Sequence, residues 1–353
     1  MKVSTIATLL SLPLAIFAFS TILPTSAVHT EYKTLSGEKP LVIAHRGASG
    51  YRPEHTLAAY ELAIQQGADY VEPDLVLTKD RILVARHDRY LSDSTNIAEI
   101  TKFADRQRRD RTSFDTEDRF DWWVEDFTLA ELKELRAIQT RDRDPADDSR
   151  YEIPTFQEVI DLVKAKETEL GHTIGLYPET KDPQILEAKG FDYIPPLKAI
   201  LNENNLNRKD AAIYVQSFHD KILRILDGDP DFNVKLVQLV WQGHDRGWED
   251  TSAEPNYPLA QIARYADGVG AYKRLILPEG RQSSTFIQEA HALGLEVHAW
   301  TFRDDSSPDW VTFDNGEAEI QHYLNQGLDG FFTDFPDTGV RSVQNLSSVS
   351  SLR

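Results

Sequence analysis

Short apolar runs alternate along the chain with longer stretches in which apolar residues recur every three or four positions. Leu41-Val42-Ile43-Ala44 is an unbroken apolar run of the kind a strand buried on both faces requires. The residues after it turn polar and Gly-rich over 47–53, and Leu57, Tyr60, Ala63 and Ile64 then return at helical spacing between Thr56, a natural cap, and Gly67. The same reading predicts further strands at 70–78, 82–88, 173–180, 213–217, 234–240, 268–272, 296–301 and 330–333. Further helices are predicted at 155–166, 184–204, 219–226, 258–265, 284–293 and 318–326. Sustained strand-helix alternation of this length predicts an α/β fold, a (β/α)8 TIM barrel with an insertion after the third strand. The alternative, an open doubly wound sheet, lacks a Gly-x-Gly-x-x-Gly after its first strand. Nine strands are one more than the barrel needs. The 70–78 and 82–88 strands, joined at Lys79-Asp80, fit a hairpin-like extension better than two separate staves.

The rhythm breaks at about 96–150, which is crowded with Arg and Asp. One helix is expected there, over 127–135 with Thr128 as its cap. Trp122-Trp123 in so polar a segment suits a small core of the insertion's own better than a contact with substrate or partner. The barrel is expected to span 41–340, after a lead-in over 28–40 and before a loose, Ser-rich tail at 341–353. At the other end, Met1-Lys2 precedes an apolar run over 6–19, and Thr25-Ser26-Ala27 supplies the small residues of a cleavage site, so 1–27 reads as a signal peptide. No later stretch approaches the ~20 apolar residues of a membrane span, so no stable membrane insertion is expected, and the protein should be periplasmic or secreted.

Charge narrows the partners. With 57 acidic against 38 basic residues and a net charge of −19, most of the surface repels nucleic acid and anionic lipid. A small anionic substrate remains admissible, since a few local cations or a metal ion dominate the potential inside a pocket. The absence of cysteine excludes disulfides, thiolate metal sites and a cysteine nucleophile.

The candidate chemistry lies at strand ends. His45 and Arg46 follow the first strand, and His87-Asp88 end the third. Glu72 and Asp74, two apart, project from one face, where converging carboxylates require a proton or a cation between them. Glu179 and Lys181 repeat that spacing. Oxygen-only ligands suit Ca²⁺ or Mg²⁺, and two histidines can act as base and acid about one phosphorus. There is no Gly-x-Ser-x-Gly, His-Glu-x-x-His or P-loop motif, so serine esterase, zinc peptidase and nucleotide-hydrolase readings lack support.

Taken in order, His45-Arg46-Gly47-Ala48, Pro53-Glu54-His55-Thr56, Glu72-Pro73-Asp74, His87-Asp88, 91–96, Glu179-Thr180-Lys181, Gln216-Ser217-Phe218, Trp300-Thr301 and the 329–336 segment resemble the glycerophosphodiester phosphodiesterases. The insertion after His87 is similar to the periplasmic branch. The resemblance implies a barrel that hydrolyses glycerophosphodiesters such as glycerophosphocholine and glycerophosphoethanolamine to sn-glycerol 3-phosphate and an alcohol, through a cyclic phosphate. By it, His45 and His87 would be catalytic, Glu72, Asp74 and Glu179 would hold Ca²⁺ or Mg²⁺, Arg46 and Lys181 would grip the phosphate, and Phe218 and Trp300 would wall the glycerol. It implies a small-molecule partner and leaves monomer and homodimer equally open. His55 departs from the family's usual Asn, which puts the loop's geometry and the pH dependence in question. Two rival readings are a lyase or phospholipase on membrane lipids, disfavoured by the acidic composition, and a non-catalytic phosphodiester-binding protein.

Overall fold

A computed structural model of the chain describes residues 32–115, 117–243, 255–279, 282–306 and 311–350, together with Met1. The expected signal peptide lies outside the described residues. The first strand, β1 (Leu41–His45), leads into α1 (Leu57–Gln65), whose first turn is capped by Thr56 Oγ1 accepting from the Ala59 amide at 3.1 Å. The second stave is two short strands, β2 (Tyr70–Glu72) and β3 (Asp74–Leu77), separated by Pro73, which has no amide to give a ladder. From β3 the chain turns back into β4 (Leu83–Ala85), antiparallel to it with Leu75 opposite Ala85. The 82–88 strand is therefore a hairpin arm, and the strand excess disappears.

The insertion follows that arm. Within it lie the hairpin β5 (Arg108–Asp110) and β6 (Arg119–Asp121) and the short helix α2 (Leu129–Leu132), which carries a full capping box between Thr128 and Glu131. Trp123 is fully buried and Trp122 nearly so, their indole nitrogens donating to the Arg108 and Phe103 carbonyls. The pair serves the insertion's own core.

Barrel alternation resumes with α3 (Phe156–Leu170), then the third stave, β7 (Gly175–Leu176) and β8 (Glu179–Thr180), parted by Pro178. Where one helix over 184–204 is predicted, two form: α4 (Pro183–Ala188) and α5 (Ile194–Glu203). Gly190 adopts a left-handed φ of 81°, and Pro195-Pro196 withdraw two amides from the interrupted stretch. Next come β9 (Tyr214–Ser217), α6 (Asp220–Asp227), β10 (Lys235–Val240), α7 (Leu259–Ile262), β11 (Gly268–Tyr272), α8 (Lys273–Ile276), α9 (Phe286–Ala292), β12 (Glu296–Phe302), α10 (Gly316–Leu324), β13 (Gly330–Thr333) and α11 (Pro336–Ser350). The expected loose tail is corrected by α11. Val340, Val343 and Leu346 recur at helical spacing and pack on the core, so the Ser-rich stretch is helical at least to Ser350.

All stave-to-stave pairings are parallel, and β13 pairs back to β1 with Leu41 opposite Gly330, giving the TIM barrel that the alternation predicts. Its interior is packed by Ile43, Tyr177, Tyr214, Val237 and Phe332. Space for the rings comes from glycine: a Cβ on Gly175 would lie 2.0 Å from the Tyr70 ring.

Candidate active site

Register assembles the site. At the carboxyl ends of the staves His45 lies opposite Glu72, Asp74 opposite Glu179, and Glu179 opposite Gln216. Each i, i+2 pair read from the sequence thus meets its neighbours on one side of the mouth. The loop after β1 is bent tightly to fit: Arg46 and Gly47 are left-handed, with φ of 61° and 86°, and a Cβ on Gly47 would lie 2.6 Å from the Ala59 carbonyl carbon.

His45, Arg46, Glu72, His87, Glu179, Lys181, Phe218 and Trp300 line one cavity of about 560 Å³. Asp74 stands just behind its surface. Glu72, Asp74 and Glu179 are all buried and offer oxygens within 4.8 Å of one another. Burial, then Asp74 and Glu179, raise the Glu72 pKa well above the usual carboxylate range, and burial pushes Glu179 up to about 8 despite Lys181. For Asp74 burial also opposes ionisation, but Lys181 and His55 prevail and hold it ionised. Asp74 Oδ1 is buried without a hydrogen-bond partner. Three crowded carboxylates with an orphaned oxygen fit a hard divalent cation such as Ca²⁺ or Mg²⁺.

Each cavity histidine has its own carboxylate. His45 Nδ1 is 2.6 Å from Asp334 Oδ1, and His87 Nδ1 is 2.9 Å from Asp88 Oδ1. In both, a ring proton on Nδ1 donates to the carboxylate, which leaves Nε2 as the nitrogen that can take or give a proton. Burial lowers His45 to about 3, with Arg46 adding to the effect and Asp334 opposing it; burial and then Arg46 also lower His87, whose side chain keeps 28% of its surface. Lys181 Nζ lies 3.0 Å from Glu179 Oε1, and Arg46 NH1 donates to Glu54 at 2.7 Å.

His55 resolves the departure from the family pattern. It is fully buried at a left-handed φ of 55°, a conformation asparagine also favours, so this backbone suits either residue. Its Nε2 is 2.9 Å from Asp74 Oδ2 and its Nδ1 is 2.7 Å from the Tyr60 hydroxyl. One ring nitrogen donates to the carboxylate while the other accepts from tyrosine, which suits a neutral imidazole and orients Asp74. Burial takes its pKa down to about 4.

Phe218 and Trp300 meet edge to face at 5.5 Å, with Trp241 stacked on Phe218 at 5.0 Å. Phe114, from the insertion, adds an edge against both Phe218 and Trp241. Several site residues were given no role by sequence reasoning. Asp334, Glu54 and Gln216, which donates to Glu72 at 2.8 Å, all lay inside the recognised segments. Phe114, Asp115 and Arg141 reach the cavity only through the fold of the insertion, which no local pattern announces.

Comparison with known proteins gives a consistent result. A profile of the glycerophosphoryl diester phosphodiesterase family matches residues 45–338. A glycerophosphodiester phosphodiesterase of Haemophilus influenzae is 32% identical, over 87% of this chain and 90% of its own. Among solved structures, one described as a putative glycerophosphoryl diester phosphodiesterase of Silicibacter pomeroyi superposes with a TM-score of 0.62 at 20% identity, covering 90% of this chain and 98% of its own. A phosphodiesterase of Oleispira antarctica, solved with its product sn-glycerol-3-phosphate, gives 0.59 at 24% identity, covering 88% of this chain and 99% of its own.

Proposed function

The chain belongs to the glycerophosphoryl diester phosphodiesterase family, as a phosphoric diester hydrolase, and we propose that it converts glycerophosphodiesters such as glycerophosphocholine and glycerophosphoethanolamine to sn-glycerol 3-phosphate and the free alcohol. The observation that carries this reading is the meeting, at one barrel mouth, of a three-carboxylate cluster with two His–Asp pairs, Arg46 and Lys181.

Glu72, Asp74 and Glu179 would hold the divalent cation, Ca²⁺ or Mg²⁺, which when bound neutralises charge on the phosphoryl oxygens. Arg46 and Lys181 hold the phosphoryl group between the histidines. The glycerol hydroxyl next to the ester attacks phosphorus as His45 Nε2 takes its proton; burial keeps this imidazole neutral, as a base must be. The bond from phosphorus to the head-group oxygen breaks as His87, the more exposed of the two, enters this step as an imidazolium and passes its Nε2 proton to the departing alcohol. Water then adds to the cyclic phosphate with the roles reversed, opening it to glycerol 3-phosphate. Phe218 and Trp300 wall the glycerol carbons. We further infer export to a periplasm or medium, on the apolar leader over 6–19; among the described residues no helix is long and apolar enough to cross a membrane.

The test is release of glycerol 3-phosphate from several head groups, with chelator and metal add-back. Loss on chelation and recovery with Ca²⁺ or Mg²⁺ is expected. No release from any diester would sink the reading, and equal turnover of diesters without the vicinal hydroxyl would sink the cyclic route.

A further inference from the structure

Five cations line the cavity, and four of them are committed inside the protein. Arg46 is paired with Glu54, Lys181 with Glu179, Lys273 with Glu319 and Arg303 with Asp334. Arg141 alone makes no hydrogen bond or ion pair among the described residues. Its charged surroundings do not supply one: Arg303 and Arg46 repel it, while Asp334 and Glu54, the nearby acids, are taken. Asp334 already receives His45, Arg143 and Arg303, and Glu54 receives Arg46 and Thr140. Desolvation by its surroundings and the neighbouring Arg303 and Arg46 lower its pKa, yet a guanidinium stays charged, so this cation stands solvated at the cavity wall and open to an anion.

The backbone holds it in that position. Arg141 and Asp142 are both left-handed, with φ of 64° and 55°. The residues on either side are tied to the barrel loops. Gln139 donates to the Ser49 carbonyl and Thr140 to Glu54, while Arg143 donates to Ser49, Asp305 and Asp334 at 3.0, 2.6 and 2.6 Å. A segment anchored at both ends and turned left-handed between the anchors presents one unpaired cation to the cavity.

We propose that Arg141, supplied by the insertion, is a substrate-binding residue whose guanidinium meets the non-bridging phosphoryl oxygens of the diester. This rests on the function proposed above and gives the insertion a part in it. Arg46 commits NH1 to Glu54, whereas the whole Arg141 fork is free for the two-oxygen contact that a phosphoryl group offers. Glycerol 3-phosphate carries more charge on the same oxygens, so Arg141 holds the product as well.

The experiment compares wild type, Arg141→Lys and Arg141→Gln on glycerophosphocholine and glycerophosphoserine, alongside calorimetric titration with inorganic phosphate. For Arg141→Gln, KM on both diesters and the Kd for phosphate should rise roughly 10- to 100-fold, the loss of one charge-assisted contact. Arg141→Lys should recover part of it, and the melting temperature should hold, since no internal bond is lost. Values within twofold of wild type on both diesters would overturn the proposal. Loss on glycerophosphoserine alone would also overturn it, placing the cation on the head-group carboxylate. Wild-type protein that cleaves neither diester would instead refute the proposed function, and phosphate titration would still decide for or against Arg141.

Discussion

His45 and His87 use one device twice: a carboxylate fixes Nδ1, so Nε2 is the nitrogen left to take or give a proton. The depth of the two rings differs, and the proposed mechanism uses the deeper His45 as the base and the more exposed His87 as the acid. Replacing either with alanine should lower kcat by ~10² to 10⁴ with metal affinity retained; near-full turnover in either variant would remove that residue from the mechanism. A third histidine acts on stability instead. His298 is fully buried in the barrel interior, its Nδ1 accepting from the Tyr177 hydroxyl at 2.6 Å and its Nε2 3.8 Å from Glu296. Burial lowers its pKa, while Glu296 and Asp329 oppose the shift. Because the folded chain resists protonation there, the unfolded chain takes up the extra proton below about pH 6.5, so stability is complete above that pH and falls as pH drops. His45 and His55 act in the same direction. Denaturation midpoints between pH 8 and pH 5 should therefore fall less steeply for His298→Asn than for wild type. Parallel slopes would show that His298 is not a source of the acid sensitivity.

Among the elements, the local signals that were legible are the ones that held. Thr155 and Glu158 form a reciprocal capping box at the start of α3, the hydroxyl accepting from the Glu158 amide at 3.1 Å and the carboxylate from the Thr155 amide at 2.7 Å. Thr155→Ala should cost roughly 0.5 to 2 kcal/mol with KM unchanged, measured by urea unfolding beside a rate assay. A change in KM without a change in stability would contradict a purely local role. The barrel staves were legible because most begin in a short, apolar-rich run, and so were the strand-end residues from His45 to Lys181, because alternation fixes which side chains share a face. Pro73 and Pro178 split two staves without altering that facing, so Glu72 and Asp74 still converge. The 184–204 helix failed as one piece because its apolar spacing continues across Gly190 and Pro195, where the backbone cannot follow. The helix α11 was hidden by serines, whose composition suggests a tail although Val340, Val343 and Leu346 carry the packing. Phe114 and Arg141 were illegible for another reason. Ties such as Ser113 to Asp182 and Arg143 to Asp334, far apart in sequence, place them, and no periodicity encodes such ties.

For the molecule as a whole, a net charge of −19 must admit a phosphodiester and also hold three buried carboxylates together. The cavity cations answer the first demand locally. The second makes the folded state depend on what occupies the triad. Without a divalent ion, burial and the neighbouring carboxylates push both Glu72 and Glu179 toward the protonated form while Asp74 stays ionised, so the cluster survives by neutralising two of its members. An ion held by the three carboxylates would displace those protons, and the native state would gain RT ln(1 + [L]/Kd), about 2.7 kcal/mol at an ion concentration of 100 Kd. Saturating Ca²⁺ or Mg²⁺ should therefore raise the melting temperature of chelated protein by several degrees. Glu72→Gln tests the source of the shift, because a neutral amide copies the protonated acid but is a poor ligand. This variant should melt close to wild type in chelator and lose most of the gain on metal addition. A full metal-induced rise in Glu72→Gln would place the stabilising ion elsewhere, and a large drop in chelator alone would mean that the ionised carboxylate, held by the Arg46 amide and Gln216, is already a structural part of the metal-free fold.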